Sequence, residues 1–260
     1  MKQKVLAIRA LMPRIGTRKL YYLLQEEFKR EGIKMGRDNL FRLLREEGLL
    51  VQKKKKYTIT TNSKHFLHKH PNLIKGMKIK RPEQVWVADI TYIPVAKGVS
   101  YLHLITDAYS KKIVGYDLSD SLSTEGSLRA LAMAIKGRMY PERSLIHHSD
   151  KGLQYCSNDY QNLLNKSNLL CSMTTSYDPY SNAVAERVNG IIKNEFELEN
   201  YKVDLETLKK IVAETIDIYN NERPHFSCSL LTPSQMHLQN QIAMKTYKIK
   251  NRSKELLASV

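Results

Sequence analysis

The sequence predicts an α/β protein: a mixed five-stranded sheet flanked by helices, preceded by a small all-α module. Three observations carry this. Residues 85–118 hold three short runs rich in Val, Ile, Thr and Tyr, separated by brief turns. Beyond residue 124, helical and strand-like patterns alternate. Before residue 50, apolar residues recur at helical spacing.

In the N-terminal module, residues 1–50, Val5, Leu6, Ile8 and Leu11 space as one helical face, ended by Pro13 and Gly16. Thr17 is placed to cap a second helix with Leu20, Leu23, Leu24 and Phe28 inward, closing near Gly32. A third helix is expected over 37–47, with Leu40, Leu43 and Leu44 inward and Gly48 as its stop. Three short helices with basic outer faces fit a helix-turn-helix whose last helix enters the major groove. Arg37, Asn39, Arg42 and Arg45 lie on or near its outer side. A structural bundle with solvated charges fits the same pattern.

Residues 51–82 read as a basic linker. Lys53, Lys54, Lys55 and Lys56 form a run, and Lys64, His65, His68, Lys69 and His70 continue the bias. Such a stretch is either merely solvated or tracks a phosphate backbone without reading sequence. The histidines have no cysteine pair nearby to complete a zinc site.

Residues 83–237 form the α/β core. Strands are expected at 85–95, 99–106, 112–118, 144–148 and 169–174, and helices at 124–137, after Asn158, and over 181–197 and 205–220. Residues 238–260 remain as a tail.

The net charge of +16 is unevenly spread. Residues 1–80 carry 21 Lys/Arg against 6 Asp/Glu, whereas residues 81–260 carry 21 against 20. A basic module beside a near-neutral core suggests a polyanion, held by one part and worked on by the other. No Lys/Arg-rich helix has a strongly apolar opposite face, which argues against a membrane partner, and no stretch approaches 18 continuous apolar residues. Cys156, Cys171 and Cys228 are widely spaced with no C-x-x-C, which argues against a disulfide framework or zinc ribbon and fits a reducing cytoplasm.

Three acids stand out. Asp89 lies mid-strand among Val85, Trp86, Val87, Ala88 and Ile90, where a charge needs a partner or a metal. Asp150 ends the fourth strand, just before Gly152; a turn or capping role would also suit it. At 100° per residue, Val184, Val188, Ile191 and Ile192 share one side of the next helix. Asn182, Glu186, Asn189 and Lys193 share the opposite side, a stripe suited either to a metal ligand beside a DNA-contacting face or to plain solvent. Phosphodiester chemistry needs an activated nucleophile, an in-line approach and a stabilised leaving oxygen. Two carboxylate-held divalent ions about 3.5–4 Å apart meet all three needs. Hard oxygen ligands favour Mg²⁺ or Mn²⁺.

The spacing of these acids, 60 residues between the first pair and 35 between the second, resembles the DDE pattern of retroviral-integrase-like enzymes. Among these it resembles in particular the bacterial insertion-sequence transposases of the second-reading-frame (OrfB) type. The flanking words agree: Trp86-Val87-Ala88-Asp89-Ile90-Thr91-Tyr92-Ile93, then His148-Ser149-Asp150-Lys151-Gly152-Leu153-Gln154-Tyr155, then Ser181-Asn182-Ala183-Val184-Ala185-Glu186 with Lys193 seven residues on. Tyr219-Asn220-Asn221-Glu222-Arg223-Pro224-His225 and Leu231-Thr232-Pro233 resemble the segment that closes the family's core.

The resemblance implies a ribonuclease-H-like fold, with Asp89, Asp150 and Glu186 as catalytic ligands of two Mg²⁺ or Mn²⁺ ions. It implies cleavage of an element's 3′ ends and their joining to double-stranded DNA, by a homo-oligomer bridging two ends. Lys193 would contact DNA near the cut, and His148, Ser149, Gln154, Tyr155, Asn182 and Asn189 would support the ligands. The family usually adds an upstream frame carrying a further helix-turn-helix and a leucine zipper, so that product, separate or fused, is an expected partner. No heptads precede residue 50, no histidine–cysteine zinc module is present, and 23 residues after His237 are too few for a barrel domain. Two other functions fit the same residues: a DNA-binding accessory or regulatory product without turnover, and a ribonuclease-H-like nuclease that cuts without joining.

Overall fold

The structure, a computed structural model, describes residues 1–52, 70–174 and 183–244. One five-stranded sheet runs in the order β3-β2-β1-β4-β5. Its strands are β1 (Val85–Pro94), β2 (Val99–Asp107), β3 (Ile113–Ser119), β4 (Leu145–Ser149) and β5 (Leu169–Met173). Short turns join β1, β2 and β3, so these pair antiparallel. Helices α4 (Thr124–Lys136) and α6 (Asn158–Lys166) form the crossovers that let β4 and β5 run parallel to β1. β1 is therefore the centre of a mixed, ribonuclease-H-like sheet, as expected.

Side chains alternate across β1 with period two. Trp86 and Ala88 enter one core with Leu131 and Ala134 of α4, Tyr155 of the short helix α5 (Leu153–Cys156) and Tyr160 of α6. Val85 and Val87 turn to the other face, toward Ala185 of α7 (Ala183–Glu195). Further along, Ile93 joins Val188 and Ile192 of α7 and Val212 and Ile216 of α8 (Leu205–Asn221). Asp89 has the parity of Val87, which puts it on the α7 face.

The N-terminal helices are α1 (Lys2–Leu11), α2 (Thr17–Arg30) and α3 (Arg37–Glu46). Two details differ from the sequence reading. Leu6 and Leu11 are exposed, while Val5 is buried and Ile8 packs beside it. The true inner face follows Val5, Ile8 and Met12, and Met12 and Ile15 beyond the helix end fill the space that Leu11 was expected to take. Gly16, not Thr17, is the N-cap of α2; Thr17 is its buried first residue. Gly48, at φ +66°, stops α3 with a bond from its N–H to the Arg45 carbonyl at 3.1 Å.

This module shares one continuous apolar cluster with Ile191, Phe196 and Leu198. The Arg14 N–H donates to the Glu195 carbonyl at 3.0 Å, which adds a polar link to the end of α7.

The segment after α8 closes the core through hydrogen bonds that local periodicity does not reveal. Asn220 acts as a surrogate strand for Ile113, accepting its N–H and donating to its carbonyl, both at 3.0 Å. Tyr219 donates to the Lys111 carbonyl at 2.8 Å. A final short helix, α9 (Pro233–His237), starts from a capping box between Thr232 and Gln235. Among the described residues, no helix is long and apolar enough to cross a membrane.

Candidate active site

β1 and β4 pair in parallel with Val85 opposite Ile146 and Val87 opposite His148. Carried two residues on, that register sets Asp89 beside Asp150 on the α7 face. Adjacent strands lie about 4.8 Å apart, so Asp89, midway along β1, neighbours Asp150, just past the end of β4. Glu186 sits in the first turn of α7, the helix that covers this face, and is exposed.

The electrostatics agree with this placement. Burial pushes the Asp89 carboxyl up to about 7, and the negative charges of Asp150 and Glu186 push the same way. Hydrogen bonds from the Ile90 backbone and from Asn189 act against that rise without cancelling it. The Asn189 amide donates to Asp89 Oδ2 at 2.7 Å. Asn189 is buried, and its Oδ1 has no hydrogen-bond partner. The polar stripe of α7 is thus turned inward at Asn189, where the helical wheel placed it opposite the packed side. Among the described residues, no three His, Cys, Asp or Glu side chains form a ready-made metal cluster. Asp89 feels the charges of Asp150 and Glu186, but the three are not drawn together into a closed ligand shell.

Around them, Asp150 Oδ1 accepts the Gly152 N–H at 2.9 Å, which shapes the turn after β4. The Ser149 hydroxyl donates to the Asp150 carbonyl at 2.9 Å. His148 is buried with Nδ1 2.8 Å from Ser172 Oγ. Tyr155 packs edge-on against Tyr160, 5.4 Å between centroids, and its hydroxyl is raised by burial and by the charges of Tyr160, Asp150 and Asp89. Gln154 donates to the Leu122 carbonyl at 2.8 Å, tying α5 to the loop before α4. Lys193 forms an ion pair of 3.0 Å with Glu199.

On α3, Arg37, Asn39, Arg42 and Arg45 are all exposed, and Arg37 pairs with Asp38 at 2.9 Å. Lys53, Lys54, Lys55, Lys56 and Asn182 lie outside the described residues. Sequence reasoning missed Glu195, whose carboxylate takes two 2.8 Å bonds from Arg223, and the buried acids Glu83 and Asp107. For Asp107 a signal existed: an Asp opening the turn 107–110, where its Oδ1 accepts the N–H groups of Tyr109 and Ser110.

A mixed five-stranded sheet of order β3-β2-β1-β4-β5 with helices on both faces is the ribonuclease-H-like architecture. The integrase core domain family matches residues 79–179, and a second family of the same description matches residues 168–233. The chain is 38% identical over 222 residues to an uncharacterised 31 kDa protein of insertion element IS600 from Shigella sonnei, covering 84% of this chain and 79% of that protein. It is 34% identical to the IS629 transposase of the same organism, covering 80% and 68%, and 31% identical to the IS3A transposase InsF of Escherichia coli K12, covering 84% and 76%. A simian T-cell lymphotropic virus intasome structure shares the fold at 15% identity and a TM-score of 0.54, covering 94% of this chain and 78% of that one. The chain belongs to the insertion-sequence transposases built on the integrase core domain.

Proposed function

We propose that this transposase cleaves the 3′ ends of its element and joins them to other DNA, with Asp89, Asp150 and Glu186 as the catalytic metal ligands. The observation that carries this reading is the Asp89 carboxyl, raised to about 7 at the sheet centre by burial and by Asp150 and Glu186. Three acids from three elements, two of them near enough to raise the third, suit a site completed by dications. The donor set is all hard oxygen, which fits Mg²⁺ or Mn²⁺. Two such ions would supply an activated attacking oxygen and neutralise the leaving one.

The chain's own groups do the rest. Asn189 fixes the orientation of Asp89 through its 2.7 Å bond. Asp150 is fixed by the turn at Gly152, while Glu186, exposed on α7, is free to swing toward the other two acids. Lys193 and the outer side of α3 supply cations for the backbone of double-stranded DNA. Ends brought together in a homo-oligomer, with the upstream-frame product or its fused form, complete the reaction in a bacterial cytoplasm where the protein associates with the nucleoid.

The test is purified protein with Mg²⁺ or Mn²⁺ and DNA carrying the element's ends. Nicked and strand-transfer products are expected from the wild type and from neither Asp89→Asn nor Glu186→Gln. Activity surviving either change would refute the assignment, and nicking without transfer would mark a nuclease.

A further inference from the structure

The end of α7 and the turn after it alternate acid and apolar residues, Glu195-Phe196-Glu197-Leu198-Glu199. The apolar members, Phe196 and Leu198, are buried in the cluster that the core shares with the N-terminal module. Each of the acids meets a cation. Glu195 accepts two 2.8 Å bonds from Arg223, Glu197 pairs with Arg14 at 3.3 Å, and Glu199 pairs with Lys193 at 3.0 Å. Glu197 takes a left-handed backbone, φ +57°, and starts a single 3₁₀ turn, Leu198–Asn200, closed by the Asn200 N–H on the Glu197 carbonyl at 2.9 Å. That turn carries Glu199 back against α7.

The first two pairs fasten α7 to parts of the chain remote in sequence. The third holds the cation of the Glu186 stripe, which lies two turns and roughly 10 Å further along the helix. A pair between exposed side chains, such as Lys209 with Glu206 on α8, is worth little, because either partner can turn away into water. Lys193 and Glu199 keep only 16% and 13% exposure, against 44% and 76% for that surface pair. Salt screens such a pair weakly. Glu199 also sits on a turn pinned by buried Leu198 and by the Arg14–Glu197 pair, so little freedom is lost in forming the contact. A phosphate can take Lys193 only by displacing this carboxylate, which leaves a mostly buried acid without its counter-charge.

We propose that Glu199 competes with DNA for Lys193, an internal carboxylate standing where a phosphate oxygen would bind. The inference rests on the reading of Lys193 as a DNA contact. Because the exchange breaks one charge pair to make another, Lys193 adds to binding only the difference between phosphate and Glu199 as its partner. Loosening the internal pair therefore strengthens the hold on DNA, where a carboxylate that merely props Lys193 in place would weaken it.

The test is metal-free binding of a labelled duplex carrying an element end, read by fluorescence anisotropy at about 0.1 M salt. Glu199→Asp keeps the charge and withdraws the carboxylate by one methylene, so it loosens the pair and leaves the net field on the DNA unchanged. It is expected to bind about three- to ten-fold more tightly than wild type. Lys193→Gln should cost the Glu199→Asp protein more than it costs wild type by that same factor, because Glu199→Asp gains nothing once Lys193 is gone. A Glu199→Asp protein that binds no tighter than wild type, or that gains equally with and without Lys193, would overturn the proposal. Lys193→Gln without effect in either background would instead refute the DNA contact of Lys193, and the competition would fall with it. Should the thermal melt show Glu199→Asp misfolded, Glu199→Gln takes its place, and its gain must exceed the gain seen without Lys193.

Discussion

The side-chain amide of Asn189 on α7 donates a 2.7 Å hydrogen bond to Oδ2 of Asp89 on β1. The bond joins the helix that carries Glu186 to the strand that carries the first acid. Outer partners of this kind typically contribute 10- to 100-fold in metal affinity or activity, by order of magnitude about 1.4–3 kcal/mol. Asn189→Ala should therefore lower the cleavage rate by about that factor and shift its Mg²⁺ dependence to higher concentration. A loss that added Mg²⁺ does nothing to relieve would show that Asn189 acts on packing alone.

Asp89 itself should oppose folding when no metal is present. Its folded-state value of about 7 lies above the ordinary 3.8, so the native chain holds that proton more tightly than the unfolded one. Stability is then lost as pH rises from 3.8 through 7, and is not regained above it. In metal-free buffer at pH 8, Asp89→Asn should melt above the wild type, and near pH 4 the two should converge. Mg²⁺ should raise the melting temperature of the wild type and leave the variant's nearly unchanged. Calorimetric scans at both pH values, with and without Mg²⁺, check each part.

The sheet was legible because each strand is a dense β-branched run with short turns, and the crossover helices have regular apolar periods. All five strands fall within a residue or two of their expected bounds. Asp89 was legible for the same reason, as an acid in an otherwise apolar run. What escaped notice depends on distant partners. Glu195 looks like any acid at the end of a helix, and only the fold brings Arg223 and Lys19 onto it. Leu6 and Leu11 were misassigned because α1 offers more apolar residues than one face can bury, and local spacing does not choose between them. Asn189 shares its stripe with Glu186 in the sequence, but only the packing of α7 over the middle of β1 turns Asn189 inward onto Asp89.

Two glycines mark where α4 lies too close to the sheet for any side chain. A Cβ at Gly115 would overlap the Ala130 carbonyl oxygen and sit 2.9 Å from Ala134 Cβ. A Cβ at Gly126 would come within 2.5 Å of both His103 Nε2 and Ser119 Oγ. At Gly115 the obstacle is helix backbone, so α4 must lift; at Gly126 side chains can shift. Gly115→Ala should cost about 3 kcal/mol or more and Gly126→Ala about 1–2 kcal/mol. Urea unfolding of both variants tests the order, and equal costs would show that α4 yields as easily as a side chain.

A buried polar knot fastens α9 to the start of β1 and should set the pH range of stability. Glu83 takes a left-handed backbone, φ +52°, and its carboxylate accepts the N–H groups of Met139 at 2.6 Å and Tyr140 at 3.2 Å, with Arg138 Nε also at 3.2 Å. Burial alone would raise this acid, but hydrogen bonds from His237, Met139, Arg138 and Tyr140 hold it at about 2. His237 is lowered by burial, yet Asp107 and Glu83 carry it above its ordinary 6.5. The depressed acid stabilises the fold above pH 4.5 and loses that contribution as pH falls toward 2. The raised histidine contributes fully below 6.5 and loses its share as pH climbs through its folded value. In an Asp89→Asn background, which removes that acid's own pH dependence, this pair contributes most between about 4.5 and 6.5. The buried His103, His147 and His225, all held below 6.5, take stability away as pH falls beneath that value, so melting temperature should peak near 6.5. Glu83→Gln should flatten the acid limb and, by leaving the buried Arg138 without its counter-charge, cost about 3 kcal/mol at neutral pH. His237→Gln should flatten the alkaline limb and, by removing the strongest of the bonds that hold Glu83 down, shrink the acid limb as well. If both variants kept the wild-type profile, acids elsewhere in the chain would have to govern it.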